Sequence, residues 1–203
     1  MMLKGLTAAY LIKRTFVVEP GQSVLFHAAA GGVGLIICQW LKRIGATVIG
    51  TVGSDEKAVT AKAHGCDHTI VYTRENFPEQ VMEITRGQGV AVVYDGVGAS
   101  TYEGSLECLA RFGMYVSFGA ASGAPPPVPV SALAAKALYV TRPGLGPHTA
   151  TRALTLEIAN ALFDAVRGGV QVEINQRFAL ADAADAHRAL ESRSTTGSTI
   201  LTI

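Results

Sequence analysis

A chain of 203 residues with 49% apolar side chains has the length and hydrophobic content for one sizeable core, as one domain or one domain and a fragment. A formal net charge of +1 and a pI near 7.8 give no electrostatic case for nucleic acid or a membrane surface as a partner. Three cysteines, Cys38, Cys66 and Cys108, stand in no Cys-x-x-Cys spacing, which argues against a disulfide framework or a structural zinc and for thiols in a reducing cytoplasm.

Residues 2–14 read as a helix, with Leu3, Leu6, Tyr10 and Leu11 towards one face. The apolar stretch is short for a signal peptide, Lys13-Arg14 occupies the cleavage region, and no run in the chain is long enough to span a bilayer. Pro20-Gly21 marks a turn, followed by a buried strand over 24–30 and the glycine cluster Gly31-Gly32-Val33-Gly34. A helix apolar on nearly every side covers 33–44 and stops at Gly45, with Cys38 and Trp40 in its core-facing part. A second strand covers 46–51. Ser54 or Asp55 caps a helix running to His64, stopped by Gly65.

Strand–helix alternation continues with a strand over 67–71 and a helix over 75–86, its Phe77, Val81 and Ile84 inward. Then come a strand over 90–94, a helix over 101–109 and a strand over 113–118. Pro125-Pro126-Pro127 and Pro129 make 120–130 an extended loop. After a helical turn or two over 131–136, a sixth strand occupies 138–141, closed by Arg142-Pro143-Gly144. A long helix over 149–167, a short strand over 178–180, a helix over 183–191 capped by Asp182 and a last strand over 199–203 complete the chain. The alternation predicts an α/β fold, a doubly wound parallel sheet of Rossmann type with six strands.

In such a fold the ligand crevice lies at the carboxyl ends of the strands. The residues that should line it are 29–33, 53–57, Tyr72, 95–98, Phe118, Gly119, Thr141 and Arg142, a set that includes Ala30, Gly31, Gly32, Val33 and Gly53. Strand, glycine turn and helix in that order suit a dinucleotide, whose pyrophosphate would sit on the helix N-terminus, although Ala29 stands where the first glycine of G-x-G-x-x-G belongs. An NAD site usually carries an acid at the end of the second strand, and here that place reads Thr51-Val52-Gly53-Ser54. Ser54, Lys57 and Tyr72 suit the 2′-phosphate of NADPH, with Asp55 and Glu56 read as first-turn helix residues favoured by the macrodipole. His27, inside the first strand, reads as a satisfied core histidine, and Asp95 as the cap of a turn. No side chain stands out as catalytic.

The motifs A-A-A-G-G-V-G at 28–34, Y-D-G-V-G at 94–98, S-F-G at 117–119, Y-V-T-R-P at 139–143 and E-S-R at 191–193 together resemble the zeta-crystallin-type quinone oxidoreductases. These form the zinc-free branch of the medium-chain dehydrogenase/reductase superfamily, and the resemblance runs the length of the chain. It implies NADPH-dependent reduction of quinones or similar electron-poor enones and no metal. It implies that Thr7 lies near the nicotinamide end, that Gly31, Gly32 and Val33 take the pyrophosphate, and that Ser54, Lys57 and Tyr72 take the 2′-phosphate side. Phe118, Gly119, Thr141 and Arg142 would border the ribose-nicotinamide half, and Arg193 would reach back to the cofactor.

It further implies a catalytic domain ahead of this chain. Residues 1–180 are then the NADP(H)-binding domain with its leading linker helix, and 181–203 a helix and strand returning to the other domain. Such a chain would bind NADPH, turn over poorly alone, and pair with a second copy through the sixth-strand edge. Two other readings stay open: a non-catalytic NADPH-binding or sensing module, and an enoyl reductase domain of a multidomain synthase, which the S-F-G and Y-V-T-R-P motifs disfavour.

Overall fold

A computed structural model describes residues 1–192 and 195–203. Six parallel strands form one sheet in the order β3-β2-β1-β4-β5-β6, where β1 is Ser23–His27, β2 Thr47–Val52, β3 His68–Val71, β4 Val90–Asp95, β5 Leu109–Ser117 and β6 Tyr139–Thr141. Strand order reverses between β1 and β4, so the chain winds outwards in both directions, as the doubly wound reading required.

The strands read as continuous apolar runs because both faces are covered. Val24, Phe26, Val48, Val92, Tyr94 and Val116 point into one core, packed by α1 (Met2–Tyr10), α2 (Gly32–Ile44) and α7 (Arg152–Arg167). The alternate residues Leu25, Ile49, Val93 and Tyr115 point into a second core with α4 (Phe77–Ile84) and α5 (Tyr102–Cys108). The period-2 alternation of side chains across a strand fixes this division. α3 (Asp55–Ala63) buries only Ala61 fully and covers the sheet edge beside β3.

The first helix departs from its expected course. α1 ends at Tyr10, and residues Leu11–Thr15 continue as a wider π-helical turn that Phe16 closes with an N–H bond to Leu11 O. The Tyr94 hydroxyl, rising from β4, donates to Leu11 O and Phe16 O at 3.2 Å each, so a buried phenol satisfies carbonyls at the turn. Leu3, expected on the buried face, is exposed, whereas Leu6, Tyr10 and Leu11 are buried.

The long helix begins later than the pattern suggested. A short helix α6 (Leu145–His148) precedes it, and Thr151 caps α7 by accepting from Leu154 N–H at 3.2 Å. The strand expected over 178–180 is β7 (Ile174–Ala179), which pairs in parallel with β8 (Ser198–Thr202) as a separate two-stranded sheet. α8 (Ala183–Glu191) joins them, and Asp182 precedes it without a side-chain capping bond, because a short 3₁₀ turn over Leu180–Asp182 leads straight into the helix.

Candidate functional site

β1 stops at His27 because Ala28 takes φ +58° and turns the chain; Gly31 N–H then bonds Ala28 O at 2.9 Å. Gly31 stands extended at the N-cap, and α2 starts at Gly32. The glycines divide their tasks. A Cβ on Gly34 would lie 2.6 Å from Ala28 O, so this residue sets the close packing of helix on strand. A Cβ on Gly32 would lie 2.6 Å from Gly197 O and 2.5 Å from Lys4 Cδ, so this one admits the C-terminal segment and the Lys4 side chain. Gly31 faces no close neighbour but Ala28 O, at 3.1 Å. The N–H groups of the first turn have no intrahelical acceptor and carry the positive end of the helix dipole, which suits an anion.

From this turn a crevice of about 160 Å³ runs along the strand ends. Ala28, Ala30 and Gly31 line it after β1, Val52, Gly53 and Lys57 after β2, Tyr72 after β3, Val97 after β4, and Ala121 and Thr195 from above. Its walls are mainly apolar, which suits a flat ring, with a lysine and a phenol also in the lining. Tyr72 stands over Gly53, where a Cβ would come within 3.0 Å of its hydroxyl. Ser54 caps α3, accepting from Lys57 N–H at 3.4 Å, and its hydroxyl also holds the Glu56 carboxyl below its ordinary range.

Asp55, at the first position of α3, is gripped at both oxygens by Arg74, 2.6 Å each, and these hydrogen bonds hold its carboxyl below the usual carboxylate range.

Past β4 the chain is held by Asp95. Its buried carboxylate accepts from Val97 N–H (2.7 Å), Gly98 N–H (3.0 Å), the Thr101 hydroxyl (2.7 Å) and the Tyr115 hydroxyl (2.8 Å). All its lone pairs are engaged, so Asp95 shapes the turn and transfers no proton. His27 is likewise committed: Nδ1 bonds the Thr51 hydroxyl at 2.8 Å and Nε2 the Ser105 hydroxyl at 2.9 Å. Burial, only partly opposed by Asp95, lowers its pKa to about 4, so it is neutral at pH 7.

Phe118 follows β5 and lays its ring against Gly96, where a Cβ would meet it at 3.0 Å, and beside Phe26 at 5.7 Å between centroids. Gly119 packs backbone to backbone on Gly96, which no larger residue could do. Arg142 reaches from the end of β6 to the Ser117 hydroxyl at 2.9 Å. Thr141 and Arg142 line a neighbouring cleft with Arg14, Thr15 and His148, apart from the first crevice. Thr7 sits on α1 with its hydroxyl bonded to Leu3 O at 2.8 Å. Arg193 lies outside the described residues.

Thus Ala30, Gly31, Gly53, Lys57 and Tyr72 share one crevice, and Gly32, Val33 and Ser54 belong to the two turns that frame it. Val97 lines the crevice as expected of 95–98. The crevice residues Val52 and Ala121 lie at a strand end and in a loop, and their backbone positions carry no chemical signal in sequence. Sequence reasoning does not single out Thr195, Lys4 or Arg74. Lys4 Nζ bonds Gly197 O at 3.2 Å, and Gly197 N–H bonds Ala30 O at 3.1 Å, so two remote segments meet on the glycine turn.

A family model for zinc-binding dehydrogenases matches residues 32–160. The chain belongs to the zinc-binding dehydrogenase family. Within it the similarity is to quinone oxidoreductases: the chain is 51% identical over 203 residues to a quinone oxidoreductase of Pseudomonas aeruginosa, covering 99% of this chain and 62% of that protein. It is 47% identical over 204 residues to a 2-haloacrylate reductase of a Burkholderia species, across 99% of this chain and 61% of that one. The crystal structure of Escherichia coli quinone oxidoreductase complexed with NADPH superposes with a TM-score of 0.95 at 48% identity, covering 99% of this chain and 63% of the other. The chain therefore spans about 62% of the length of the curated quinone oxidoreductases it matches. Among the described residues no group of three or more His, Cys, Asp or Glu is placed to hold a metal ion, and no helix is long and apolar enough to cross a membrane.

Proposed function

We propose that the crevice binds NADPH and that the protein of which this domain forms the cofactor half reduces quinones or similar electron-poor enones. The observation that carries this reading is the meeting of Lys57 and Tyr72 with the glycine turn in one apolar crevice that offers no uncommitted acid at the end of β2. The cradle fits: the glycine turn leaves space and helix N–H groups for a pyrophosphate, and the apolar walls suit an adenine.

In this reading Gly31, Gly32 and Val33 bind the pyrophosphate through backbone N–H groups, and Ser54, Lys57 and Tyr72 surround the 2′-phosphate. Phe118, Gly119, Thr141, Arg142 and Thr7 flank the nicotinamide half, with Arg193 closing over the cofactor. When bound, the reduced nicotinamide supplies a hydride, so no side-chain nucleophile is needed. Ala30, Val52 and Val97 exclude water from the base, and the Phe118 ring, braced by Phe26 and Gly96, is an apolar wall for the nicotinamide half.

The wider reading adds three proposals. Residues 1–180 are the cofactor domain and 181–203 the return towards a second domain, with the β7–β8 pair bridging the two parts. The protein acts in the cytoplasm. Two copies join through the edge of β6, whose Tyr139 and Val140 are exposed.

The test is consumption of NADPH by the full-length protein with a benzoquinone acceptor, against the same assay with NADH. Quinone-dependent loss of NADPH, with NADH markedly slower, is expected. Absence of turnover with either nucleotide would overturn the catalytic reading.

A further inference from the structure

Asp55 occupies a position that ought to oppose the cofactor proposed above. It follows β2 at the first residue of α3, two residues past Gly53 and two before Lys57, both of which line the crevice. A carboxylate near that strand end is the usual acceptor for the ribose 2′-hydroxyl in NAD sites, and it would repel a 2′-phosphate. Arg74 removes both properties at once. Its two terminal nitrogens donate to the two carboxylate oxygens at 2.6 Å each, a fork-on-fork pair that occupies the acceptor directions and cancels the charge.

The chain holds Arg74 in place for this. Tyr72 N–H bonds Val52 O at 3.1 Å, and the Thr73 hydroxyl bonds Gly53 O at 3.4 Å, which ties the loop after β3 to the loop after β2. Arg74 N–H then bonds Val71 O at 3.1 Å, so the guanidinium leaves a fixed turn two residues beyond Tyr72. Both side chains are exposed, with side-chain accessibilities of 56% and 65%, and a pair in that setting contributes little to stability. Both line the adjoining cleft with Lys62 and Val71, and Asp55 acts on the crevice from two residues away in sequence, at Gly53 and Lys57, a step short against a Debye length of about 8 Å. Glu56, the other acid of that turn, accepts a hydrogen bond from the Ser54 hydroxyl.

We propose that Arg74 is a positioning residue for nucleotide selectivity: by clamping Asp55 it converts an NAD-type acidic position into one that accepts a 2′-phosphate. The proposal rests on the reading that the crevice takes NADPH. It adds a residue outside the crevice lining that acts through a second side chain.

The test is titration calorimetry of the full chain with NADPH, NADH and 2′,5′-ADP, for the wild type, Arg74→Gln, Asp55→Asn and the double variant. Arg74→Gln is expected to lose about five- to tenfold in affinity for NADPH and 2′,5′-ADP, the scale of one released charge facing a dianion through water, with NADH unchanged or tighter. Asp55→Asn added to Arg74→Gln is expected to restore the NADPH:NADH ratio, because the liberated charge is gone. A merely structural role for the pair would weaken both dinucleotides alike and would not be rescued. An unchanged ratio in Arg74→Gln, an equal loss for both nucleotides, or a failed rescue overturns the proposal while NADPH binding by the wild type stands. A wild type that binds neither dinucleotide overturns the NADPH reading and this one with it.

Discussion

Gly32 and Lys4 approach so closely that the lysine side chain lies over the first turn of α2: a Cβ on Gly32 would stand 2.5 Å from Lys4 Cδ. The Lys4 ammonium is half-buried there, which lowers its pKa, and it is held by Gly197 O at 3.2 Å. The glycine turn is thus the junction of three segments remote in sequence: α1, the β1–α2 turn and the stretch before β8. Gly32→Ala should therefore displace Lys4 and Gly197, and through the Gly197 N–H bond to Ala30 O disturb the crevice wall. Weaker NADPH binding with a stability loss of about 1–3 kcal/mol is expected, measured by titration and denaturant melts.

Gly34 makes a sharper steric prediction. The three nearest neighbours of an added Cβ are all backbone atoms, Ala29 O and, at 2.6 Å, Ala28 O and Ala29 C, and none can rotate away. Gly34→Ala should push α2 off β1 and cost roughly 1–3 kcal/mol or more in urea unfolding. A variant as stable as wild type would show that the helix and strand pack less tightly than described.

Asp95 tests the polar core. Four donors converge on its carboxylate, and Asp95→Asn would set an NH₂ group against at least one of them. A loss of about 2–4 kcal/mol is expected, since each unsatisfied buried donor costs its full desolvation. The Tyr115 hydroxyl, bonded to Asp95, should titrate at lower pH once burial is no longer reinforced by the neighbouring charge.

His27 sets a pH dependence. Its folded pKa, about 4, lies below the ordinary histidine value, so the unfolded chain binds the proton first as pH falls. The stabilisation from neutral His27 is complete above the unfolded pKa of about 6.5 and declines as pH falls towards 4, by up to roughly 3 kcal/mol. Between those limits wild type should lose stability faster than His27→Gln, whose amide can still bond Thr51 and Ser105 but does not titrate. Parallel curves for the two proteins would contradict the assignment.

Most of the fold was legible because strands covered on both faces read as short continuous apolar runs, alternating with helical-length segments that stop at Gly45, Gly65 and Gly87. What escaped detection depended on contacts between distant segments. The π-helical turn at Leu11–Thr15 is supported by the Tyr94 hydroxyl from β4, and nothing local announces it. β7 was read too short because Ile174–Arg177 alternate weakly and take their order from pairing with β8. In the site, the glycine turn and the Lys57–Tyr72 end were visible as motifs. Arg74 was not, because an arginine in a turn declares its role only when Asp55 is seen within its fork.

The most direct measurement of the central claim is calorimetric titration of this chain with NADPH and, separately, NADH. The account predicts tighter binding of NADPH by tenfold or more, about 1.4 kcal/mol. Equal affinity for the two, or preference for NADH, would contradict it.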